Sequence, residues 1–351
     1  MAQLTERENF LRLYKGECPE WVPTYSFGKL PGMMPQDLER LASSYVGPGV
    51  LNEKRTPTGG FDCWGVEFVA TEGTGMASLP KPGQFILDDI RKWRDVIKAP
   101  DLSGVDWEAM AKKDLEMADI DQKNTATIFA LNIGYFEELM AFMGFTEGLC
   151  ALSEEPEECK ELIMYMADFY VDVAEKCIDY YNVDVLNITD DTATKLSPFI
   201  SPQTYRDIIK PAHAKQAEVA RKRGIPIEMH CCGRCEDLID DWIDFGVVAW
   251  NPAQTTNDLK AIKEKYGNSL AICGGWDFEG KVADPNIGEE EFKQTVRDAI
   301  DAYAPGGGYC WCAGALGAIG DPITDKKNKW MAEEVSDYGR SFYSKQKSTI
   351  I

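Results

Sequence analysis

From about residue 125 the chain alternates short apolar runs with amphipathic stretches, and no other feature restricts its fold as much. The runs are ATIFALN (126–132), VDVLNIT (183–189), IPIEMHC (225–231), VVAWN (247–251), SLAICGG (269–275) and GGYCWCA (307–313). Between them lie helical patterns over 156–181, 202–223, 236–245, 258–266 and 289–303. Ser153 ahead of Pro156, and Ser201 directly before Pro202, supply the N-cap and first-turn residues that start helices. Short apolar strands separated by helices pair in parallel through right-handed crossovers. Six such units, with WVPTYSF (21–27) as a further strand, approach eight. The expected fold is therefore an α/β TIM (β/α)8 barrel, ahead of an open doubly wound sheet. No GxGxxG or Walker loop follows any strand, which weakens a nucleotide-binding alternative.

The first 85 residues are more broken. Pro31-Gly32, Gly47-Pro48-Gly49 and the segment 57–60 punctuate them, and extended runs at 61–71 and 76–79 read as a hairpin. This part is expected to form an N-terminal helical and hairpin cap with the first strand (1–85). Residues 86–351 would supply the remainder of one barrel domain. Of 351 residues, 44% are hydrophobic and 27% charged, the balance of an ordinary globular chain. A net charge of −21 would repel nucleic acid and anionic membrane surfaces, and no apolar run approaches the roughly 20 residues of a membrane span. The opening MAQLTERENF lacks an apolar signal core. Eleven scattered cysteines then read as reduced thiols, and a cytoplasmic protein is expected.

A barrel of this kind does its chemistry at the C-terminal strand ends. Polar residues there are Asp190 and Asp191, His230, Cys231 and Cys232, Asn251, Cys273, Trp276-Asp277, Cys310 and Cys312. His230, one of two histidines, lies two residues before Cys232 in EMHCCGRC (228–235), so on a strand both side chains face the same way. Imidazole and thiolate are ligands zinc prefers, and a catalytic zinc keeps three protein ligands and one open position. The bland reading of a strand cysteine is a small hydrophobe; a histidine beside it, with more thiols at a later strand end, favours metal. The glycines at 306–308 let the backbone come close to the barrel axis, which favours Cys310 as third ligand, with Cys312 and Cys273 as competitors. Cys231 and Cys235 read as packing residues and His213 as structural. Asp190 and Asp191 are candidate catalytic groups, with helix capping as the alternative. Tyr25, Trp64, Asn251 and Trp276 are candidate substrate contacts, and Phe27 belongs to the same aromatic set; core packing is the alternative for the aromatics.

In ordered pieces the chain resembles the uroporphyrinogen decarboxylase-like superfamily, and within it the corrinoid-dependent methyltransferase branch. The pieces are TERENFLRLYKGECPEWVP (5–23), FDCWGVEF (61–68), DDTATKLSPFISPQTYRDIIKP (190–211), HCCGRCEDLIDDWIDFGVVAWNPAQTTNDLKAIKEKYG (230–267), CGGWD (273–277) and PGGGY (305–309). The resemblance implies a TIM barrel with zinc (Zn2+) held by a His-x-Cys pair, matched by His230 and Cys232, and by a later cysteine. It implies methyl transfer between a small methylated substrate or thiol acceptor and a cobamide carried by a partner corrinoid protein. Two departures matter. The arginines that grip carboxylates in true decarboxylases are missing after Val22, where the chain reads PTYSFGKLPGMMP, so decarboxylation is not expected. In relatives the later cysteine follows Gly-Gly-Tyr by several residues, near Gly314-Ala315 here, whereas this chain has Cys310 and Cys312 earlier. A metal-free decarboxylase-like lyase and a non-catalytic corrinoid-handling accessory are the alternative functions.

Overall fold

The computed structural model describes residues 4–28, 41–56, 58–71, 78–131, 134–317 and 320–349. Among the described residues eleven strands run in chain order as β1 (Ser43–Val46), β2 (Arg55–Thr56), β3 (Gly59–Phe61), β4 (Glu67–Ala70), β5 (Ser78–Pro80), β6 (Ala126–Phe129), β7 (Val185–Thr189), β8 (Ile227–His230), β9 (Val247–Ala253), β10 (Ala271–Gly274) and β11 (Tyr309–Cys310). Seven of them form one sheet in the order β1-β6-β7-β8-β9-β10-β11. Every ladder in it is parallel.

Strand alternation sorts the side chains of this sheet onto two faces. Leu186, Ile188, Ile227, Met229, Trp250 and Ile272 pack outward into the main core, together with residues of the surrounding helices such as Pro156–Tyr181 and Lys210–Lys222. The residues between them (Ala126, Ile128, Val185, Ala249, Ala271, Cys273 and Cys310) gather into a separate cluster with Phe10, Tyr14 and Tyr25. Residues from five strands can meet in one small cluster only if the sheet is curled with this face inward. Small side chains suit the tight concave side. On that same parity lie Asn187, Thr189, Glu228, His230 and Asn251, so the curled face carries the polar groups as well.

Among the described residues seven strands, not eight, make up the regular ladder. The segment expected as the first strand lies between β11 and β1 but forms only an isolated parallel bridge, Thr24 to Trp311. Tyr25 N donates to Trp311 O at 2.7 Å and Trp311 N to Pro23 O at 2.9 Å, while Tyr45 N reaches Phe27 O at 3.4 Å. Pro23 has no N–H to extend the ladder. The expected strand over 307–313 shrinks to two residues, because Gly306, Gly307 and Gly308 all take positive φ. Pro211 interrupts the helix expected over 202–223, which passes through a π-helical turn at Tyr205–Ile209 before resuming. The hairpin expected near the N-terminus is part of a four-stranded antiparallel sheet, β2-β3-β4-β5. Met76 and Ala77 of that expectation lie outside the described residues.

Candidate metal centre

Asp191, His230 and Cys232 each present a ligand atom within 4.8 Å of the others, just beyond the C-terminal ends of β7 and β8. The separation of His230 Nε2 from Cys232 Sγ is 3.9 Å. A tetrahedral zinc with bonds of about 2.0–2.3 Å spaces its ligand atoms roughly 3.3–3.8 Å apart. The group is therefore close to closing on a metal without backbone movement, and one carboxylate, one imidazole and one thiol form a donor set that zinc accepts.

Local structure fixes each donor. His230 is the last residue of β8, in register with Asn251 on β9. Its Nδ1 lies 2.7 Å from Asn251 Oδ1. Cys232 follows as the chain turns away, and its backbone N–H donates to Asp191 Oδ1 at 2.7 Å, tying the two donor loops together. Gly233 makes that turn with φ +86°, and a Cβ there would stand 2.5 Å from Thr194 O, so only glycine fits. Burial, followed by the nearby Asp191 charge, pushes the Cys232 thiol far above its ordinary range. A metal that binds here must displace that proton.

The neighbouring aspartates have separate environments. Asp190 is fully buried. It accepts from the backbone N–H groups of Phe136 (3.1 Å) and Glu137 (3.2 Å), at the start of the helix Tyr135–Met143. His213 Nε2 lies 3.1 Å from the same carboxylate. Asp190 thus anchors a helix N-terminus, and Asp191 is left half-buried beside the imidazole and thiol.

Cys310 is buried on the inner face, with its Sγ 3.3 Å from Pro23 O. Asp191 occupies the third place in the group, and neither Cys310, Cys273 nor Cys312 is part of it. Tyr25 is buried beneath the mouth, and its hydroxyl donates to Glu228. Asn251 stands behind His230. Phe27 packs edge-on to the His230 ring at 6.0 Å and against Tyr45 at 5.1 Å, giving the site an aromatic wall. Trp64 belongs to another cluster: its Nε1 donates to Tyr170 at 2.7 Å, and its ring packs on Phe142 and Phe169. Trp276 packs against Phe292 and Trp311 and donates to Thr295 at 3.0 Å. It also lines a cavity of about 320 Å³ with Thr255, Asp277, Lys281 and Tyr303.

Two acids at the site escaped the sequence reading. Glu137 accepts from Asp191 N at 3.2 Å, and burial, with Asp190 and Asp191 nearby, pushes its carboxyl up to about 8. Its signal was a glutamate three residues after Gly134, ahead of an apolar run. Glu228, fully buried, accepts from Tyr14 (2.5 Å), Tyr25 and Asn187 (2.8 Å). Burial raises its carboxyl, and those donors pull it back. Its signal was an acid two residues before His230 in an otherwise apolar strand.

The profile of the uroporphyrinogen decarboxylase (URO-D) family matches residues 110–315, a span that includes all three donors. Among solved structures, a methyltransferase from Methanosarcina mazei is similar in fold, with a TM-score of 0.62 at 15% identity over 96% of this chain and 99% of that one. No curated protein matches the chain.

Proposed function

The chain belongs to the uroporphyrinogen decarboxylase family, and from that premise we propose that it is a zinc-dependent methyltransferase. In this reading it moves a methyl group between a small methylated compound or thiol and the cobamide of a partner corrinoid protein. The observation that carries the proposal is the convergence of Asp191, His230 and Cys232 at the C-terminal edge of the curled sheet. A decarboxylase of polycarboxylates has no use for a thiol and an imidazole set for metal. It would also need arginines, and the stretch after Val22, PTYSFGKLPGMMP, has none. A soft, mixed donor set beside an aromatic wall suits a small, largely apolar methyl compound better. The methyltransferase with a similar fold is in keeping with this choice.

Zinc, when bound, acts as a Lewis acid that lowers the pKa of an acceptor thiol or polarises the atom bearing the methyl group. The chain's own residues do the rest. His230, Cys232 and Asp191 would hold the ion, and Cys232 N keeps the Asp191 carboxylate turned toward the other two donors. Phe27 and Tyr45 would wall the methyl compound and exclude water on that side. Asp190 holds the helix that carries Glu137 against the site.

Protein purified without added metal should contain about one zinc per chain by elemental analysis. His230→Ala, Cys232→Ala and Asp191→Ala should each lose it, whereas Cys310→Ala should keep it. Methyl transfer to or from free cobalamin, followed by its visible spectrum, should vanish in the three variants. Wild-type protein free of zinc, or full zinc occupancy in all three variants, would overturn the reading.

A further inference from the structure

Directly beneath the metal donors, an unbroken hydrogen-bonded chain runs down the inner face of the sheet. Glu228 sits two residues before His230 on β8, with the same parity and one side-chain layer deeper. Three donors converge on its carboxylate: the hydroxyls of Tyr14 and Tyr25 and the amide of Asn187. Tyr25 OH is in turn 3.2 Å from Asn251 Nδ2, and Asn251 Oδ1 is 2.7 Å from His230 Nδ1. Tyr25, Asn187, Glu228 and Asn251 are all fully buried, so no bulk water competes for these bonds.

Such a chain has a direction. The Tyr25 hydroxyl is directed at Glu228, the shortest of its contacts, with Tyr45 OH 3.0 Å from the same oxygen, and it has a single proton to give. The Tyr25 oxygen then has only lone pairs to offer Asn251, which must turn its NH₂ toward it. That orientation leaves Asn251 Oδ1 facing the imidazole, and a carbonyl oxygen can be approached only by a protonated Nδ1. In a neutral imidazole the other nitrogen, Nε2, is then bare, and Nε2 is the atom 3.9 Å from Cys232 Sγ. We infer that Glu228, through Tyr25 and Asn251, sets the tautomer of His230 so that its lone pair meets the metal position. Asn251 and Tyr25 are on this account positioning residues rather than substrate contacts. The inference rests on His230 being a ligand, as proposed above, but its central statement concerns the protein before any metal arrives.

The chain contains only two histidines, His213 and His230, so the imidazole nitrogens can be read individually. Long-range ¹H–¹⁵N correlation spectra of ¹⁵N-labelled, metal-free protein, assigned with His230→Gln, should show Nδ1 of His230 protonated and Nε2 unprotonated. Tyr25→Phe removes the hydroxyl that orients Asn251, and His230 should then populate both tautomers. Zinc affinity, measured by competition with a chromophoric chelator, should fall by about 10–100-fold, the usual effect of losing an outer partner of a metal-bound histidine. Adding Asn251→Asp to Tyr25→Phe presents the imidazole with acceptors alone, so it should restore both the tautomer and most of the affinity. A purely structural role for Tyr25 would not be rescued in this way. Protonated Nε2 in the wild type overturns the inference without any variant being needed. So does a Tyr25→Phe protein with unchanged tautomer and unchanged zinc affinity. Wild-type protein that holds the stated tautomer but binds no zinc would overturn the metal reading and leave the account of His230 standing.

Discussion

Asp190 and Asp191 are adjacent in sequence and alike in chemistry, yet a fully buried helix anchor and a half-buried candidate metal donor result. Strand parity sends one toward the helices and the other toward the mouth, and neither composition nor spacing distinguishes them. Glu137, beside both, carries a consequence for stability. Its carboxyl is raised from an ordinary 4.5 to about 8 in the fold, so the folded state binds a proton more tightly than the unfolded chain does. Where the native state holds more protons, unfolding free energy falls as pH rises. This contribution is complete below the ordinary glutamate value and is lost as pH climbs through about 8. With metal chelated, urea unfolding at about pH 5 and about pH 9 should show a decline that is smaller in Glu137→Gln. Some decline should remain, because burial also raises Glu138 and Asp62. An equal slope in both proteins would mean that Glu137 is not the group responsible.

Elements, more than single side chains, bring the donors together. The helix Tyr135–Met143 starts against the end of β7, where Asp190 accepts two of its first N–H groups. Gly134 makes that approach possible: a Cβ there would lie 2.2 Å from the Asp190 carboxylate. Gly134→Ala should therefore destabilise the protein by roughly 1–3 kcal/mol, the usual cost of overpacking a buried contact. Gly104→Ala, where an added Cβ meets nothing within 4 Å, should stay within about 0.5 kcal/mol of wild type. Comparable effects of the two substitutions in urea unfolding would show that the Gly134 contact is not tight. The same helix had no place in the strand–helix alternation read from sequence. Its residues are nearly all buried, so it lacks the polar stripe that marks a surface helix.

At the scale of the whole molecule, the outward-facing core and the inner cluster are built from apolar side chains of many elements. A metal at the sheet edge is not needed to hold them. Removing it should thus act by mass action alone. Zinc at about a hundredfold excess over its dissociation constant should raise stability by about 2.7 kcal/mol. A strong chelator should cancel that gain, lowering the melting temperature while leaving the far-ultraviolet circular dichroism of the folded state unchanged. Loss of secondary structure on chelation would make the site a structural one. The net charge of −21 gives the surface a field that draws cations and repels anions, in keeping with a divalent ion at the mouth.

Apolar periodicity by itself determined the parallel strands β6 to β10, the long helices at Pro156–Tyr181 and Glu289–Tyr303, and the pairing of His230 with Cys232 on one side of the chain. These depend on local rules: two-residue alternation, helix-starting residues, and the reach of ligands two positions apart. The third member of the candidate group was not legible there. Sequence alone favours Cys310, with Cys312 and Cys273 as competitors, and reads Asp191 as a catalytic candidate, because which residue meets His230 depends on the depth of each strand end in the curled sheet. Register sets that depth, and it places Cys310 among small side chains on the inner face and Asp191 at the mouth. The short β1 was likewise missed, since its residues SSYV form no apolar run, and the segment around Thr24, expected as a strand, keeps a single bridge. Local chemistry writes the strands and half of the site; the curl of the sheet, which joins residues 25, 191, 228 and 251 to His230, is decided only when distant strands pair.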